Sequence, residues 1–277
     1  MFKDILIPLV LGDLQEAAIG QACALAALDD GQVIGLVGAS LAIPIATTWA
    51  YYPVGTYETM DEAATATVRK LAEAAEQRLG RENVAHEVRV STKFWLTSAE
   101  MSTLHARYAD LTVLGVSRPL QDPERRLFGG LLAGSGRPLL MVPASAPAHA
   151  RFDRILIAWK SSREAARAVH DAMPLLQRAQ SVELLMVEHE PVPGPHNADA
   201  DVCLAGHLRR HGVPVTPVRR SAEHMPAAGV ILEHARESGA QLIVAGGYSH
   251  SRALEQAFGG VTRHLLEHAD VPVLLSH

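Results

Sequence analysis

Two glycine pairs near the end of the chain have the residue types and spacing of a phosphate-binding turn. Gly246-Gly247-Tyr248-Ser249 follows an apolar run, and nine residues later Gly259-Gly260-Val261-Thr262 opens a helical pattern. Glycine lets a ligand approach the backbone closely, and the free N–H groups of a helix N-terminus bind phosphate. Together the two parts could cradle a polyphosphate. Glycines at such places also serve packing and turn geometry alone, so both interpretations stay open.

The elements around this turn predict a parallel sheet. Short apolar runs such as Ile155–Trp159 and Gln241–Ala245 alternate with helical patterns, as in βαβ units. Ligands of such sheets bind beyond the carboxyl ends of the strands, where the strand order reverses. The glycine turn after Gln241–Ala245 is therefore at a strand end that can bind a ligand. Ser162 is interpreted as the cap of the helix Ser162–Ala179, with Glu164 in its first turn, and not as a nucleophile.

The same pattern occurs twice in the chain. Phe2–Ile7 reappears 150 residues later as Phe152–Ile157, and the later motifs of the two halves keep the same order. We therefore predict two copies of one α/β domain, over residues 1–146 and 151–277. Each is expected to be an open five-stranded parallel sheet with helices on both faces. A length of 277 residues fits two domains of ordinary size.

This arrangement resembles the universal stress protein (UspA) superfamily in its tandem two-domain form, which implies Rossmann-like, adenine nucleotide alpha hydrolase-like domains. ATP-binding members carry G-x2-G-x9-G-[S/T] after the fourth strand and use it for the phosphates. Here Gly246 and Gly259 correspond to the first and third glycines, while Ser249 and Gly260 stand at the other two positions. The resemblance implies ATP, with magnesium, as a ligand of the second domain, at Ala158, Trp159, Lys160, Gly246, Gly247, Ser249, Gly259, Gly260, Val261 and Thr262.

The second domain departs from the family pattern at two of these residues. Nucleotide-binding relatives carry an Asp just after the first strand, directed at the adenosine, and this position is Lys160 here. A lysine cannot accept a hydrogen bond, but it could attract a phosphate or pair with a carboxylate. Ser249 brings a Cβ where the family has glycine, which narrows the approach of a phosphate, although its hydroxyl could donate a bond.

The first domain departs further from the pattern. Gly115 and Gly129-Gly130 are kept, but Val10 replaces the Asp, Arg118 replaces the second glycine, and ten residues instead of nine follow Arg118. We therefore expect this site to be partly filled and not to bind ATP. The helix that closes it is predicted over Gly129–Ser135.

The resemblance also implies how the domains associate, because family members pair through their last strands. Pro138–Val142 and Val271–Leu275 are expected to pair within the chain and form a pseudo-dimer. This pairing would bury two sheet edges that otherwise invite aggregation. Association of two chains into a homodimer is left open.

Composition excludes several classes of protein. A net charge of −5 argues against a nucleic-acid binder, which would need a basic surface. No apolar run is long enough for a membrane span, and no signal peptide precedes the first strand. Two cysteines, Cys23 and Cys203, are too few for a disulfide framework and suit a reducing compartment. We expect a cytoplasmic protein.

Two histidine pairs have the spacing of metal ligands on a helix. His207 and His211 are four residues apart, as are His264 and His268. No spacing completes a four-ligand set, so no metal is assigned and the pairs are interpreted as surface residues. Cys203 is expected to be a buried thiol. A third ligand would have to come from elsewhere, from His196, Asp199, Asp201 or Glu267.

The function implied is that of a stress-response regulatory or binding protein that senses ATP or another phosphorylated ligand in its second domain. The motifs G-x-S-x-G, G-x4-G-K-[ST] and H-E-x-x-H are absent, so no catalytic residue is assigned. One alternative is a slow ATPase or other phosphoryl-handling enzyme with Lys160 and Ser249 on the phosphates. The other is a nucleotide-free protein-interaction module.

Overall fold

Ten strands and eight helices alternate along the described part of the chain. The structure, a computed structural model, describes residues 1–10, 12, 14–38, 54–91, 96–188, 198–223, 225–247 and 260–277, with the backbone alone at 54–61, 63 and 198–202. The first half contains β1 (Asp4–Leu9), α1 (Glu16–Asp29), β2 (Gln32–Gly38), α2 (Val54–Leu79), β3 (Ala85–Ser91), α3 (Ser98–Ala106), β4 (Leu111–Val116), α4 (Asp122–Gly134) and β5 (Leu139–Pro143).

The second half repeats the order of the first. It contains β6 (Arg154–Trp159), α5 (Arg163–Leu176), β7 (Ser181–Glu188), α6 (Ala198–Arg210), β8 (Val215–Ser221), α7 (Ala227–Ser238), β9 (Leu242–Gly246), α8 (Gly260–His268) and β10 (Val273–Ser276). The central strands of both halves are short, apolar runs that are buried over most of their length, as expected for strands covered by helices on both faces. The predicted α/β class is therefore confirmed.

The two halves share one sheet. Its strand order is β3-β2-β1-β4-β5-β10-β9-β6-β7-β8, so two five-stranded parallel sheets join through their last strands. The seam is antiparallel, with Val273 opposite Met141 and Leu275 opposite Leu139. The prediction of pairing within the chain is confirmed. The expectation of two separate sheets is refined to a single mixed sheet of ten strands.

The strand order reverses between β6 and β9 in the second half, and between β1 and β4 in the first. Helices α1, α2, α5 and α6 contribute to the core on one face of the sheet, and α3, α4, α7 and α8 to the core on the other. Connections that leave β6 and β9 for opposite faces open a crevice at the carboxyl ends of the strands. Because the seam is antiparallel, the crevices of the two domains lie at opposite ends of the sheet.

Polar contacts also join the two halves away from the sheet. The buried Asp29 accepts a bond from Arg178 of the second half at 2.6 Å and one from the Phe2 backbone N–H at 2.9 Å. The fully buried Gln21 on α1 forms two hydrogen bonds with the backbone of His149, in the segment between the two domains. These bonds hold that segment and the second half against α1.

One helix of the first half begins elsewhere than expected. Helix α1 begins after Gln15, which has a left-handed backbone conformation. Helix α4 begins at Asp122, not at Gly129, so the prediction of a short helix over Gly129–Ser135 was wrong at its start. The physical reason is a capping box at Gln121, described below, which starts the helix seven residues earlier.

The cysteines and the helix lengths add two findings. Cys23 is buried, and burial raises the pKa of its thiol to about 12, which makes it unreactive. Cys203 is exposed, so the expectation of a buried thiol was wrong. Among the helices of the described residues, none is both long and apolar enough to cross a membrane.

Candidate functional site

The crevice of the second domain begins where β6 ends. Ala158 and Trp159 are its last two residues, both half-buried, and Lys160 follows them in an exposed position. The indole nitrogen of Trp159 is buried and has no hydrogen-bond partner among the described residues. No carboxylate in the described part of the chain pairs with Lys160, which directly follows the strand end.

Gly246 ends β9, the other wall of the crevice, and packs against the first turn of α5. A Cβ added to Gly246 would lie 2.5 Å from the Ala165 backbone nitrogen and 2.8 Å from the Glu164 carbonyl carbon. Both atoms belong to the backbone and cannot give way to a side chain. Packing of the helix onto the strand therefore requires this glycine, whether or not a ligand binds.

Gly247 has a second packing role, toward the first domain. A Cβ added there would lie 2.6 Å from Cδ2 of Leu132, a residue near the end of α4. The Gly247 backbone N–H donates to the Ser276 carbonyl at 2.8 Å, and the Gly247 carbonyl bonds the His277 ring at 3.1 Å. The residue thus joins β9, β10 and the neighbouring domain, and its polar backbone groups are already satisfied.

The N-terminus of α5 is occupied by the helix's own side chains. The Ser162 hydroxyl accepts a bond from the Ala165 N–H at 3.2 Å, which confirms the predicted cap. Glu164 is buried, and burial alone would raise its pKa. Bonds to its own backbone N–H, Ser162 and Arg163 outweigh this and lower the pKa. An ionised carboxylate therefore occupies the place where an anion would bind at this helix end.

The N-terminus of α8 is different, because nothing fills it among the described residues. The helix begins at Gly260, and a Cβ added to Gly260 would have no heavy atom within 4 Å. Val261 is 38% exposed, while Thr262 is buried and anchors the turn to the core. Ser249 and Gly259 lie outside the described residues, so their assigned roles stay predictions.

The equivalent crevice of the first domain is closed by a side chain. Gly115 at the end of β4 corresponds to Gly246, and its backbone N–H donates to Oε1 of Gln15 at 2.9 Å. A Cβ on Gly115 would lie 2.9 Å from Cβ of Gln15. Gln15, just before α1, therefore occupies the space between β1 and β4.

A carboxylate occupies the turn that follows Gly115. Oε1 of Glu124 accepts bonds from the Ser117 hydroxyl at 2.5 Å and the Ser117 N–H at 3.3 Å. Oε2 of Glu124 accepts from the Gln121 N–H at 2.7 Å. Backbone donors that face phosphate in a glycine-rich turn are here satisfied from within the chain. Part of the signal was present in the sequence, because a proline and two acidic residues in the first turn are typical of a helix start.

The glycine pair of the first domain lies inside α4. Gly130 faces α3, where an added Cβ would lie 3.1 Å from Cβ of Ala99, and Gly134 faces Thr103, with an added Cβ at 2.8 Å from Cγ2. These glycines let α3 and α4 pack closely. The N–H groups of Gly129 and Gly130 are within a helix, so they are not free donors at its start.

The histidine pairs do not assemble a metal site in the described residues. The rings of His264 and His268 stack with centroids 4.2 Å apart, and those of His207 and His211 are 4.5 Å apart. Among the residues described, no group of three His, Cys, Asp or Glu side chains could hold a metal ion. Glu267 bonds two arginines instead. His196 lies outside the described residues, as do the side chains of Asp199 and Asp201.

A separate cavity of about 300 Å³ lies at the outer edge of the second domain, between the end of β8 and α7. Its polar side chains bond one another. His234 accepts a bond from Arg220 at 3.3 Å through Nδ1, and its Nε2 lies 2.5 Å from Glu183. Arg220 also pairs with Glu237 at 3.1 Å. This internal pairing accounts for the buried histidine without a ligand.

Comparison with known proteins identifies the family of the second domain. Residues 151–277, which include the crevice after β9, match the model of the universal stress protein family. The second domain belongs to the universal stress protein family. No curated protein matches the sequence.

Solved structures extend the universal stress protein fold to the first domain. A universal stress protein from Archaeoglobus fulgidus DSM 4304 is 17% identical, with a TM-score of 0.67, and the match covers 99% of this chain and 96% of that chain. A functionally unknown protein from Pseudomonas aeruginosa PAO1 is 15% identical, with a TM-score of 0.57, over 99% and 92% of the two chains. At these identities the likeness shows the fold alone. It shows that this chain shares the tandem, two-domain fold of these proteins.

Proposed function

We propose that the second domain of this universal stress protein binds ATP or another phosphorylated ligand, with magnesium, and that the chain acts as a stress-response binding and regulatory protein. The observation that carries the proposal is the N-terminus of α8. It begins at Gly260, where no atom of the described residues lies within 4 Å of an added Cβ, while the equivalent turn of the first domain is filled by Glu124. Family membership and the glycine spacing support the same ligand class.

The phosphates are expected at the start of α8, because its first N–H groups have no partner within the helix and the helix dipole favours an anion there. Gly260 adds no side chain that would block this approach. The N-terminus of α5, on the other wall, is unsuitable, because the ionised Glu164 occupies it and would repel a phosphate.

Lys160 is expected to supply the positive charge of the site. It is exposed at the end of β6, across the crevice from β9, and its flexible chain lets the ammonium reach a phosphate. The residue cannot accept a bond from a ribose hydroxyl, as an Asp would. Recognition is therefore expected to depend on the phosphate groups more than on the nucleoside.

A regulatory role is favoured over turnover by the state of the nearby side chains. The Ser162 hydroxyl caps α5, and the carboxylate of Glu164 is bound by its own helix start and by Arg163. Neither group is free to activate a water molecule or to hold magnesium. Ligand binding would instead fix the start of α8 and so change the surface that the second domain offers to a partner.

Calorimetric titration of the full chain with MgATP tests the proposal. Gly260→Glu puts a carboxylate at a helix start that tolerates one and has space for it, but the carboxylate competes with phosphate. Affinity is expected to fall at least about a hundredfold in Gly260→Glu and to stay within about threefold in Gly260→Ala. Wild-type protein that binds no MgATP at millimolar concentration would overturn ATP binding, and equal affinity in all three proteins would overturn the site.

Titration with inorganic tripolyphosphate separates recognition of phosphate from recognition of adenosine. Lys160→Ala is expected to weaken ATP and tripolyphosphate alike, by about tenfold, while Lys160→Arg keeps most of the affinity. Weakening of ATP alone would contradict the assigned role of Lys160. A phosphate-release assay on the same variants tests the ATPase alternative, which requires turnover above background that is lost in Lys160→Ala.

A further inference from the structure

The first domain contacts the C-terminal end of α8 through Arg118, which lies in the turn between β4 and α4. Arg118, which stands where the family has its second glycine, donates to the Ala269 carbonyl through Nη2 and to Asp270 through Nη1 at 3.3 Å. Asp270 also accepts from Arg236 at 3.0 Å. Bonds from Arg236 and Arg118 together lower the pKa of Asp270, so it is ionised at neutral pH. Arg118 thus satisfies a carbonyl just beyond the helix end and pairs with a fixed anion.

A second arginine of the first domain reaches the last turn of α8. Nη2 of Arg125, on α4, lies 3.1 Å from Oε1 of Glu267, and Arg263 donates to the same oxygen at 3.0 Å. The side chains of Arg125 and Glu267 are 29% and 25% exposed, so this pair is partly shielded from solvent. A shielded pair holds its geometry better than a fully exposed one.

Helix α4 of the first domain also contacts the residue that follows β9. Leu132 near the end of α4 packs against Gly247 so closely that a Cβ there would lie 2.6 Å away. Gly247 directly follows β9 and begins the turn that leads to α8. Helix α4 therefore contacts the residue after β9 through Leu132, and it contacts the last turn of α8 through Arg125.

The sheet topology places these two contacts at opposite ends of α4. Helix α8 runs back along the sheet between two parallel strands, so its N-terminus lies at the crevice and its C-terminus at the far edge. The antiparallel seam directs the first domain the other way. The start of α4 is consequently at the C-terminal end of α8, and the end of α4 is at the crevice.

We infer that α4 of the first domain is a brace for the second-domain site, and that Arg118, Arg125 and Leu132 are positioning residues for its phosphate-binding helix. The inference rests on the proposed function and deepens it: the domain that closed its own site became the support of the other. A ligand that orders the start of α8 gains affinity when the rest of that helix is already held.

Hydrogen exchange of the ligand-free full chain tests the brace without any ligand. In Arg118→Ala/Arg125→Ala the amides of Leu265 and Leu266 are expected to exchange about tenfold faster, since the helix end opens more often. Strand β7, which touches neither arginine, serves as the internal reference for global stability. Arg126→Ala is the matched control, because Arg126 is the exposed neighbour on the same helix. Unchanged exchange in the double variant would overturn the brace.

Titration of the same variants with MgATP tests the positioning role. The Kd is expected to rise about tenfold in Arg118→Ala/Arg125→Ala, to return toward wild type in Arg118→Lys/Arg125→Lys, and to stay unchanged in Arg126→Ala. By linkage, MgATP slows exchange of α8 amides less in the Ala variant than in wild type. Faster exchange with an unaltered Kd would overturn the positioning role. Failure of wild type to bind MgATP would instead defeat the proposed function, while the exchange comparison still decides whether the brace exists.

Discussion

The turns after β4 and β9 descend from one repeated sequence but differ in what occupies them. After β4, Glu124 accepts bonds from the N–H groups of Ser117 and Gln121, and helix α4 begins there. After β9, helix α8 begins at Gly260, where no atom of the described residues comes within 4 Å of an added Cβ. Among the described residues, the turn is thus filled by a glutamate side chain in one domain, whereas the helix start at Gly260 is unobstructed in the other.

The difference between the turns after β4 and β9 shows that a glycine pattern does not by itself identify a phosphate site. Gly246 and Gly247 both meet packing demands, against α5 and against Leu132, that hold without a ligand. What distinguishes the two turns is whether a side-chain acceptor already satisfies the donors. In the first domain Glu124 satisfies these donors at the start of α4.

The largest effect is expected where packing alone demands a glycine. Gly246→Ala should lower the free energy of unfolding by about 3 kcal/mol, because its Cβ meets backbone of α5. Gly115→Ala, the equivalent change, should cost less, about 2 kcal/mol, because the nearest atom is Cβ of Gln15 at 2.9 Å, which can shift only together with its own backbone. Urea unfolding of the two variants measures this. Equal costs would contradict the different occupancy of the two crevices.

A smaller loss of stability is expected when the ion pair between Asp29 and Arg178 is removed. This pair joins the two domains away from both turns. Burial alone would raise the pKa of Asp29, but bonds from Arg178 and the Phe2 N–H outweigh it and lower the pKa. Asp29→Asn should cost about 2 kcal/mol at neutral pH. Because the folded pKa is below the unfolded value of about 3.9, this stability is present above that value and is lost as pH falls through the folded pKa.

Unfolding measured across acid pH checks this linkage. Wild type should lose stability more steeply than Asp29→Asn below about pH 4, and the two curves should run parallel at neutral pH. The Gly246→Ala and Gly115→Ala losses should not change over this range, since they are steric. A constant difference between wild type and Asp29→Asn at all pH values would show that the carboxylate does not hold the joint through its charge.

The Glu124 carboxylate, in the first turn of α4, should contribute about 1 kcal/mol to the free energy of unfolding. Glu124→Ala removes the acceptor of two backbone donors and of the Ser117 hydroxyl, so the start of α4 should fray. Glu124→Gln, which keeps an acceptor oxygen, should lose less, and Asp122→Ala is the control in the same turn. Amide exchange at Ser117 and Gln121 reports the change. Protection that survives in Glu124→Ala would mean that the turn is not held by this side chain.

The smallest effects come from one more matched pair of glycines. Gly130→Ala should lower the free energy of unfolding by about 1 kcal/mol, because Ala99 on α3 must give way. Gly260→Ala should be neutral or raise it by about 0.5 kcal/mol, because the site is open and alanine favours helix. The sign of the difference between these urea midpoints is the test, and a destabilised Gly260→Ala would show that the start of α8 is packed.

Much of the fold could be predicted from the sequence, because it follows from repeats and apolar periodicity. The ten strands and the cap at Ser162 depend on short sequence patterns, while the pairing of the last strands followed from the family resemblance. The start of α4 was missed because Gly129-Gly130 was aligned to a loop end by resemblance, while the nearby capping box acts more locally and more strongly.

The site was less accessible to sequence reasoning, because occupancy is a three-dimensional property. That Gln15 reaches Gly115, or that Leu132 packs on Gly247, depends on contacts between residues about 100 or more positions apart. The charge change from Asp to Lys160 is visible in the sequence, and its consequence for ligand choice stays a prediction. The roles assigned to Ser249 and Gly259 stay predictions as well.

The short segment between β5 and β6 has a consequence for how the two copies evolve. It keeps the seam partners at a high effective concentration, so their pairing does not depend on dilution or on meeting a second chain. Two identical subunits would carry every substitution in both copies. A covalent pair always sets one specified copy beside the other, so each can lose what its neighbour retains. Such permanent heterodimerisation within one chain is what allows one ancestral pocket to become scaffolding while the other stays open.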